Sequence, residues 1–367
     1  MHLKQLAGEE LIAGIAAALD GGAAVAPQCE PRLQAALGLD QPVVEADAAL
    51  IVPTSGTTGA PKAVVLSATA IRFAANATHE RLGGVGDWVC ALPTQHVAGL
   101  MTIARAVVGG SAVRQVRADL ADLPAAHTRT YVSLVAAQLD RALAQQALAE
   151  RLASYAAVLL GGSAIPKPLL ARAAAAGLKV VTTYGASETC GGCVYDGDPL
   201  SGVRVEFDDE RICLGGPMAF SGYRLRPELT AEVLRGDLVV TNDRGRLVAD
   251  RLEVLGRFDD VVISGGEKVD LAAAQLICDA EFGSAEAGAP VLLALPDERW
   301  GVRIVAISVG ALDLAEVQTR LAGRLGRAAT PKELRQIPEM AYTSLGKIDR
   351  GALRRAWEQK GEHGDVG

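Results

Sequence analysis

A run of small, hydroxyl-bearing and glycine residues separates two apolar segments early in the chain. It reads Pro53-Thr54-Ser55-Gly56-Thr57-Thr58-Gly59-Ala60-Pro61-Lys62 and lies between residues 49–52 and 63–66. Such a loop offers backbone N–H groups, hydroxyls and one cation to a polyanion, and its glycines allow close approach of the backbone to a ligand. It is not a Walker A loop, because Lys62 follows a proline and no helix begins there. Phosphate binding is one interpretation, and a flexible hairpin loop is the other.

Two further polar runs follow segments that their apolar pattern predicts as buried strands. Strand 156–160 leads into Gly161-Gly162-Ser163, and strand 178–183 leads into Tyr184-Gly185-Ala186-Ser187-Glu188-Thr189. Residues just past the carboxyl end of a strand in an open α/β sheet line the ligand crevice. Glu188 would supply a hard oxygen suited to Mg²⁺, and Tyr184 a flat face. Plain turns, with a solvated glutamate in the second, are the alternative.

Other candidates are single residues or pairs. Asp243 follows the predicted strand 237–241, and a carboxylate at such a place suits ribose hydroxyls. The adjacent Gly265 and Gly266 would allow close backbone approach to a ligand, or form a surface β-turn. His96 follows a strand and a proline, where a histidine with a purely structural hydrogen bond is equally compatible with the sequence.

The order of residues in the first run is more specific than its composition. Residues 54–62 resemble, at every fixed position, the Thr-Ser-Gly-Thr-Thr-Gly-x-Pro-Lys phosphate loop of the adenylate-forming superfamily. That superfamily includes acyl-CoA synthetases, luciferases and peptide-synthetase adenylation domains, and the resemblance covers about residues 49–350. It implies that ATP phosphates bind at Thr54, Ser55, Gly56, Thr57, Thr58, Gly59 and Lys62.

The polar run after strand 178–183 is similar to the Tyr-Gly-x-Thr-Glu-Thr motif of the same superfamily, with Ser187 in place of the first threonine. The resemblance implies that Tyr184 packs on adenine and that Glu188 serves the Mg²⁺ ion. It further implies that the remaining residues of the ATP and AMP site on these two strands are Gly161, Gly162, Gly185 and Ser187.

The resemblance also assigns roles beyond residue 240. Asp243 and Arg257 would hold the ribose, although Asn242 stands where the superfamily has glycine. Asp259 would be the hinge between domains. Gly265 and Gly266 would line the tunnel for the pantetheine arm of CoA.

Besides Glu188, two residues, Lys347 and His96, would act directly in catalysis. A lone lysine near a C-terminus is usually solvent-exposed, but Gly346-Lys347 resembles the catalytic lysine motif of the superfamily. A compact ammonium on a long stem can reach a carboxylate and an α-phosphate. The resemblance places His96 near the acyl pocket and the thiol path.

The run from Ser187 to Gly197 looks like that of a compact subgroup, the o-succinylbenzoate–CoA ligases, which make a thioester on the menaquinone pathway. Their acid keeps a second carboxylate, for which Ser163, Ser187 and His96 are candidate partners. Cys190 and Cys193 have the Cys-x-x-Cys spacing of redox or zinc sites, but no second pair with ligand spacing accompanies them. The alternatives are an aryl or medium-chain acid as substrate, or a non-catalytic nucleotide-binding protein on the same scaffold.

Length and patterning predict the architecture. The 367 residues, half of them hydrophobic, suffice for two domains. We expect an α/β fold with a large N-terminal domain of mixed and parallel sheets and a β-rich subdomain (1–256), a hinge (257–260) and a small mobile α+β C-terminal domain (261–367). The pattern also predicts single helices over 136–153 and 314–326 and separate strands over 237–241 and 246–249.

Charge and composition restrict the partners. A net charge of −7 argues against nucleic acid and anionic membrane surfaces, and no apolar run approaches the ~20 residues of a membrane span. Six cysteines in a chain of this length favour a reducing cytoplasm over a disulfide framework. We expect ATP, Mg²⁺ and CoA, a small carboxylic acid as substrate, no nucleic acid, no membrane insertion, and a chain compatible with a homodimer.

Overall fold

The computed structural model describes residues 3–54, 61–283, 285, 288–342 and 348–361. It divides into two compact units, Met1–Thr241 with Arg246–Glu253, and Asn242–Gly245 with Val254–Gly367. Its architecture is α/β with several mixed sheets, which confirms the predicted fold class. The domain boundary at residue 256 and the hinge at 257–260 stay predictions.

The strands are β1 (Lys4–Leu6), β2 (Val25–Pro27), β3 (Ala48–Thr54), β4 (Lys62–Ser67), β5 (Asp87–Cys90), β6 (Val113–Gln115), β7 (Thr130–Leu134), β8 (Ala157–Gly161), β9 (Val180–Ala186), β10 (Gly191–Tyr195), β11 (Asp198–Pro199), β12 (Arg204–Asp208), β13 (Arg211–Gly215), β14 (Gly222–Tyr223), β15 (Leu234–Arg235), β16 (Leu238–Val248), β17 (Arg251–Arg257), β18 (Val261–Ser264), β19 (Glu267–Asp270), β20 (Val291–Asp297), β21 (Gly301–Ser308) and β22 (Leu334–Gln336). The helices are α1 (Gly8–Leu19), α2 (Pro31–Leu37), α3 (Ala68–Arg81), α4 (Val97–Gly109), α5 (Ala136–Leu143), α6 (Gln146–Ala153), α7 (Lys167–Ala175), α8 (Pro227–Val233), α9 (Leu271–Phe282), α10 (Leu314–Ala322) and α11 (Arg350–Gly361).

The strand–helix alternation after residue 87 builds a mostly parallel sheet with strand order β11-β10-β9-β8-β7-β5-β6. Its strands from β6 to β9 are parallel, and β10 and β11 are antiparallel additions. Alternate side chains enter opposite cores: Leu159 packs with the α3 and α4 side, whereas Val158 and Leu160 pack with the α5 to α7 side. The parallel sheet is therefore covered on both faces, as parallel sheets require.

The two strands that flank residues 55–60 belong to a different sheet, with order β1-β2-β3-β4-β14. Strands β3 and β4 form an antiparallel pair in which Thr54 faces Lys62. Their centres are fully buried aliphatic residues, which fixes the hairpin independently of the residues between the strands. The short β14 continues the sheet beyond β4, with Tyr223 opposite Val64.

The structure corrects the predicted strand ends around Asp243. Residues 241–243 do not close a strand, because β16 runs unbroken from Leu238 to Val248 and pairs with β17. In the sequence, the polar residues 242–244 look like the end of a strand. In the structure, ion pairs with residues on and beyond β17 compensate the charges of Asp243 and Arg244. The chain turns instead at Ala249 and Asp250, which both have positive φ as a tight hairpin requires.

The predicted helix over 136–153 is two helices, α5 and α6, because Gln145 leaves the helical region at φ −122 and ψ 107. Leu139 and Leu148 are both buried. They are nine residues apart, which would place them on opposite sides of one continuous helix. The break lets both side chains reach the same core. The predicted helix over 314–326 likewise ends early, at Ala322 before Gly323.

The second unit is a smaller α+β structure. Its sheet has the order β19-β18-β21-β20, and β22 pairs with β21. Apolar clusters pack against this sheet beneath α9, α10 and α11. The β18–β19 hairpin turns at Gly265 and Gly266, with φ of 59° and 85°, values that only glycine adopts readily. Across the described parts of both units, no helix is long and apolar enough to cross a bilayer.

Candidate functional site

Lys62 stands at the start of β4, directly after the glycine-rich run. Of that run, Ser55, Gly56, Thr57, Thr58 and Gly59 lie outside the described residues. At the two described ends of the run, Thr54 Oγ1 donates to the Lys62 carbonyl oxygen at 3.4 Å, across the strand pair. Both ends of the predicted phosphate loop are therefore anchored on a buried hairpin.

The structure brings together Lys62 and Glu188, the two side chains for which the sequence predicted phosphate and Mg²⁺ contacts. Lys62 Nζ lies 3.1 Å from Glu188 Oε1. A third residue, Tyr223, joins them: its hydroxyl accepts from Lys62 Nζ at 2.5 Å and donates to Glu188 Oε1 at 2.5 Å. The Lys62 ammonium also lies 4.0 Å from the centre of the Tyr223 ring. We call these three side chains the Lys–Tyr–Glu triad.

Burial and the neighbouring carboxylate determine the protonation of Tyr223. Burial raises the pKa of its phenol, and the negative charge and hydrogen bond of Glu188 raise this pKa further. The hydroxyl therefore stays protonated at neutral pH and acts as the donor to Glu188. This assignment agrees with the geometry, in which the lysine can only donate.

A short turn fixes the position of Glu188. Residues Ser187–Thr189 form a 3₁₀ turn after β9. Thr189 Oγ1 accepts from the Ala186 backbone N–H at 2.9 Å and donates to the Gly191 carbonyl oxygen at 2.8 Å. The next residue, Cys190, has φ of 53°, an uncommon conformation for a residue with a Cβ. Glu188 thus projects from a tightly bonded turn, and Ser187 is half-buried beside it.

The glycines on the neighbouring strands are needed for packing. A Cβ on Gly161 would lie 2.3 Å from Thr183 Oγ1, and a Cβ on Gly185 would lie 2.1 Å from the Gly191 carbonyl oxygen. Gly162 has φ of 85° and is exposed, as is Ser163. Tyr184 is half-buried and packs against the core of the first unit. The close approach of these backbones explains the glycines without a ligand, so their predicted nucleotide contacts stay predictions.

Helix α4 carries His96 at its N-cap and Arg105 two and a half turns further on. The His96 backbone N–H donates to the Pro93 carbonyl oxygen at 3.2 Å, and its carbonyl oxygen accepts from Leu100 N–H at 3.1 Å. Arg105 is only 4 % exposed. Within the described part of the chain, no carboxylate pairs with it and its Nε has no hydrogen-bond partner.

The environment of Arg105 is aromatic and neutral. Its guanidinium lies 5.2 Å from the Trp88 ring centre and donates to the Tyr195 hydroxyl at 3.5 Å. Burial, with a contribution from the Arg105 charge, lowers the pKa of the neighbouring His79. Burial raises the pKa of the Cys190 thiol, and Arg105 opposes this only in part. Among the residues that the structure describes, Arg105 is therefore a buried cation without a buried anion, an arrangement that is costly unless an anion binds there.

The predicted cysteine pair lies in the same region. Burial raises the pKa of Cys193 to about 12. Together with the raised pKa of Cys190, this keeps both thiols protonated at neutral pH. All six cysteines of the chain are free.

In the second unit, Arg257 bridges the predicted ribose and hinge residues. It makes two hydrogen bonds with the Asp259 carboxylate, at 2.8 and 3.0 Å, and its Nη1 lies 3.2 Å from Asp243 Oδ1. Burial raises the pKa of Asp259, but the hydrogen bonds and charge of Arg257 outweigh this and lower it. The three side chains thus form one connected ionic cluster.

The Gly265–Gly266 turn lies against Trp300. A Cβ on Gly265 would be 2.8 Å from the indole. Trp300 is partly exposed, with Arg299 and Lys332 4.9 and 5.8 Å from its ring centre. An aromatic face flanked by cations suits a nucleotide with several phosphates. Lys347, the predicted catalytic lysine, lies outside the described residues.

The sequence did not predict Tyr223 as a residue of the triad, and it did not single out the buried Arg105. Tyr223 lies 161 residues after Lys62 and 35 after Glu188, so no local pattern connects them. Arg105 had a detectable signal, because it is the one charged residue in the apolar stretch 97–108. A charge at such a place is rare without a partner, and that alone would have indicated a function.

Comparison with known proteins defines the class. Residues 7–248 match the family model described as AMP-binding enzyme. The chain belongs to this family, which is the adenylate-forming superfamily that the motifs predicted.

Its similar relatives are more specific. A probable 2-succinylbenzoate–CoA ligase of Mycobacterium tuberculosis is 41% identical over 333 residues, 85% of each chain. A 2-succinylbenzoate–CoA ligase of Enterococcus faecalis is 30% identical over 82% of this chain and 68% of its own. Among solved structures, a single-residue variant of E. coli MenE with bound OSB-AMS has a TM-score of 0.78 at 23% identity, covering 98% of this chain and 87% of that one. Bacillus subtilis MenE with OSB-AMP has a TM-score of 0.73 at 21% identity, covering 96% and 83%.

Proposed function

We infer that this chain is an AMP-forming acid–CoA ligase that converts o-succinylbenzoate to o-succinylbenzoyl-CoA, a step of menaquinone biosynthesis. The acid carboxylate attacks the α-phosphate of ATP, which gives an acyl-adenylate and releases pyrophosphate. The thiol of CoA then attacks the acyl carbon, and AMP leaves. The sequence identity with 2-succinylbenzoate–CoA ligases supports this substrate.

The Lys–Tyr–Glu triad is the observation that carries the proposal. It places a cation at the end of the phosphate loop and a carboxylate 3.1 Å away, which are the groups that Mg²⁺-bound ATP needs. Glu188 Oε1 is used within the triad, whereas Oε2 has no hydrogen bond to any described residue. That free oxygen fits Mg²⁺. No group of three potential ligands gathers among the described residues, so substrate phosphates and water would complete the coordination.

The residues of the site have different roles in adenylation. Lys62 binds and orients phosphates, Glu188 holds the metal, and Mg²⁺ when bound neutralises charge on the leaving pyrophosphate. Catalysis of this kind consists of positioning and electrostatic stabilisation. Asp243 and Arg257 hold the ribose, and Lys347 offsets charge on the carboxylate and the α-phosphate. These three roles rest on the superfamily resemblance.

The second carboxylate of the acid needs a buried partner, and Arg105 is the buried cation that we assign to it. Its guanidinium is buried and lacks a carboxylate partner in the described part of the chain, and it lies nine residues after His96, about 13 Å along the same helix. An anion there would remove the cost of an uncompensated buried charge. We place the retained carboxylate at Arg105, in addition to the candidates Ser163, Ser187 and His96 from the sequence.

CoA binding is assigned to the second unit. Gly265 and Gly266 would line the pantetheine tunnel, and Trp300 with Arg299 and Lys332 would receive the nucleotide end. Between the two half-reactions the C-terminal domain would reorient about Asp259. The six free cysteines support a cytoplasmic location, and a homodimer stays a prediction.

The first test is pyrophosphate release with ATP and Mg²⁺, with and without o-succinylbenzoate, followed by mass spectrometry after CoA is added. We expect pyrophosphate only when acid is present, and a thioester only when CoA is also present. Release with benzoate or a medium-chain acid, but not with o-succinylbenzoate, would favour the rival acid. Nucleotide binding without any pyrophosphate release would favour a non-catalytic binder.

A further inference from the structure

We propose that Tyr223 is a positioning residue of the metal and phosphate site. Its hydroxyl occupies one oxygen of Glu188 and leaves the other for Mg²⁺, and it holds Lys62 at the end of the phosphate loop. The proposal rests on the function inferred above and deepens it, because Tyr223 lies outside every sequence motif that predicted the site.

The chemistry of the two outer groups determines the direction of the hydrogen bonds, because an ammonium can only donate and a carboxylate can only accept. The Tyr223 hydroxyl therefore accepts from Lys62 Nζ at 2.5 Å and donates to Glu188 Oε1 at 2.5 Å. Glu188 Oε1 therefore has both the phenol and, at 3.1 Å, the ammonium as neighbours. The two oxygens of Glu188 become inequivalent, with Oε2 the one that faces no donor among the described residues.

The backbone around Tyr223 is fixed by contacts that do not involve its hydroxyl. Phe220 N–H donates to the Glu188 carbonyl oxygen at 2.9 Å, and Arg224 N–H donates to the Ala63 carbonyl oxygen at 2.9 Å. The same short segment thus contacts the Glu188 turn on one side and the strand of Lys62 on the other. Tyr223 N–H in turn donates to Thr230 Oγ1 at 2.8 Å, which ties the residue to α8.

Arg224 anchors this segment further. Its side chain is fully buried, donates to the carbonyl oxygens of Leu37, Gly38 and Gln41, and lies 3.2 Å from Glu45 Oε2. The ring of Tyr223 packs edge-on against Phe220 at 4.9 Å between ring centres. Removing only the hydroxyl should therefore leave the backbone and the ring in place, so that Tyr223→Phe tests the hydrogen bonds alone.

Lys62 and Glu188 already form a direct ion pair at 3.1 Å, and the phenol adds a hydrogen bond to each partner. Without the hydroxyl, the ion pair alone orients the Glu188 carboxylate, so Oε2 is no longer held in place for Mg²⁺. Losing a hydrogen bond to a charged group commonly changes an equilibrium constant about tenfold or more. We therefore expect Tyr223→Phe to weaken Mg²⁺ binding to the ATP complex about tenfold, with little change in melting temperature.

The experiment is calorimetric titration of Mg²⁺ into the chain with ATP and no acid, so that no turnover occurs. Tyr155→Phe is the matched control, because it removes a buried phenol hydroxyl that donates to the Pro124 carbonyl oxygen in a separate cluster. We expect wild type and Tyr155→Phe to give the same affinity, Tyr223→Phe to give a weaker one, and all three to keep the same stoichiometry. Thioester formation from supplied acyl-adenylate should be unchanged in Tyr223→Phe.

An unchanged Mg²⁺ affinity in Tyr223→Phe would overturn the proposal. So would a fall in stoichiometry at unchanged affinity, because that result marks loss of folded protein and a purely structural role. The titration needs no acid, so it decides on Tyr223 even if no acid releases pyrophosphate. If no acid releases pyrophosphate, the proposed function is wrong, but the result of the titration for Tyr223 still holds.

Discussion

A Lys347→Ala variant is expected to lose adenylation while it keeps thioester formation from supplied acyl-adenylate. The lysine charge is needed when a carboxylate and the α-phosphate, both negative, are brought together. Loss of one preorganised charge contact of this kind costs ~10²–10³ in rate. The measurement is pyrophosphate release for the first half-reaction and thioester yield from synthetic acyl-adenylate for the second.

Lys179→Ala is the control for Lys347→Ala, because Lys179 is an exposed lysine beside β9. It should leave both half-reactions at the wild-type rate. Equal damage to both half-reactions in Lys347→Ala would contradict the role assigned to this residue.

An Arg105→Met variant is expected to lose between about 10²-fold and several thousand-fold in kcat/KM for o-succinylbenzoate, since breaking a buried pair by removing one charge costs about 3–5 kcal/mol. Methionine is similar in length to arginine, and the substitution removes a buried cation that no described carboxylate compensates. Its folded state should therefore be as stable as wild type or more stable. The combination of lost activity and retained or raised Tm is specific to a ligand-binding role.

Two controls distinguish a role of Arg105 in binding the acid from a role in packing the core. Arg72→Met removes an arginine that pairs with Asp20 at 2.6 Å on a solvent-exposed face, and it should leave kcat/KM unchanged. For Arg105→Met, an analogue of o-succinylbenzoate that lacks the aromatic carboxylate should be used about as well as by wild type. If Arg105→Met instead showed a large fall in Tm and an equal loss of kcat/KM for both acids, Arg105 would have a structural role in the core.

The sequence predicted those parts of the site whose residues are adjacent in the chain. Residues 54–62 contain the phosphate-loop order within nine positions, and residues 184–189 contain the candidate metal ligand within six. The structure then brings Lys62 and Glu188 within 3.1 Å. Local order suffices for Glu188 because the short turn Ser187–Thr189 fixes its position directly after β9.

Contacts between distant segments could not be predicted in this way. Tyr223 enters the triad only because β14 pairs with β4, and a two-residue strand has no detectable periodicity. The same limit explains β16, whose polar residues 242–244 look like a turn until Arg257 and Asp270 pair with them. In each case a tertiary contact overrides the local pattern.

The most direct test of the substrate assignment compares kcat/KM of the wild-type chain for o-succinylbenzoate and for its analogue that lacks the aromatic carboxylate. A site built to satisfy a second carboxylate leaves its polar groups unpaired when a monoacid binds, and it should reject the analogue by about 10²-fold or more. We expect that ratio, with benzoate and fatty acids of similar size also poor substrates. Equal kcat/KM for the two acids would contradict both the role of Arg105 and the assignment of o-succinylbenzoate as the substrate.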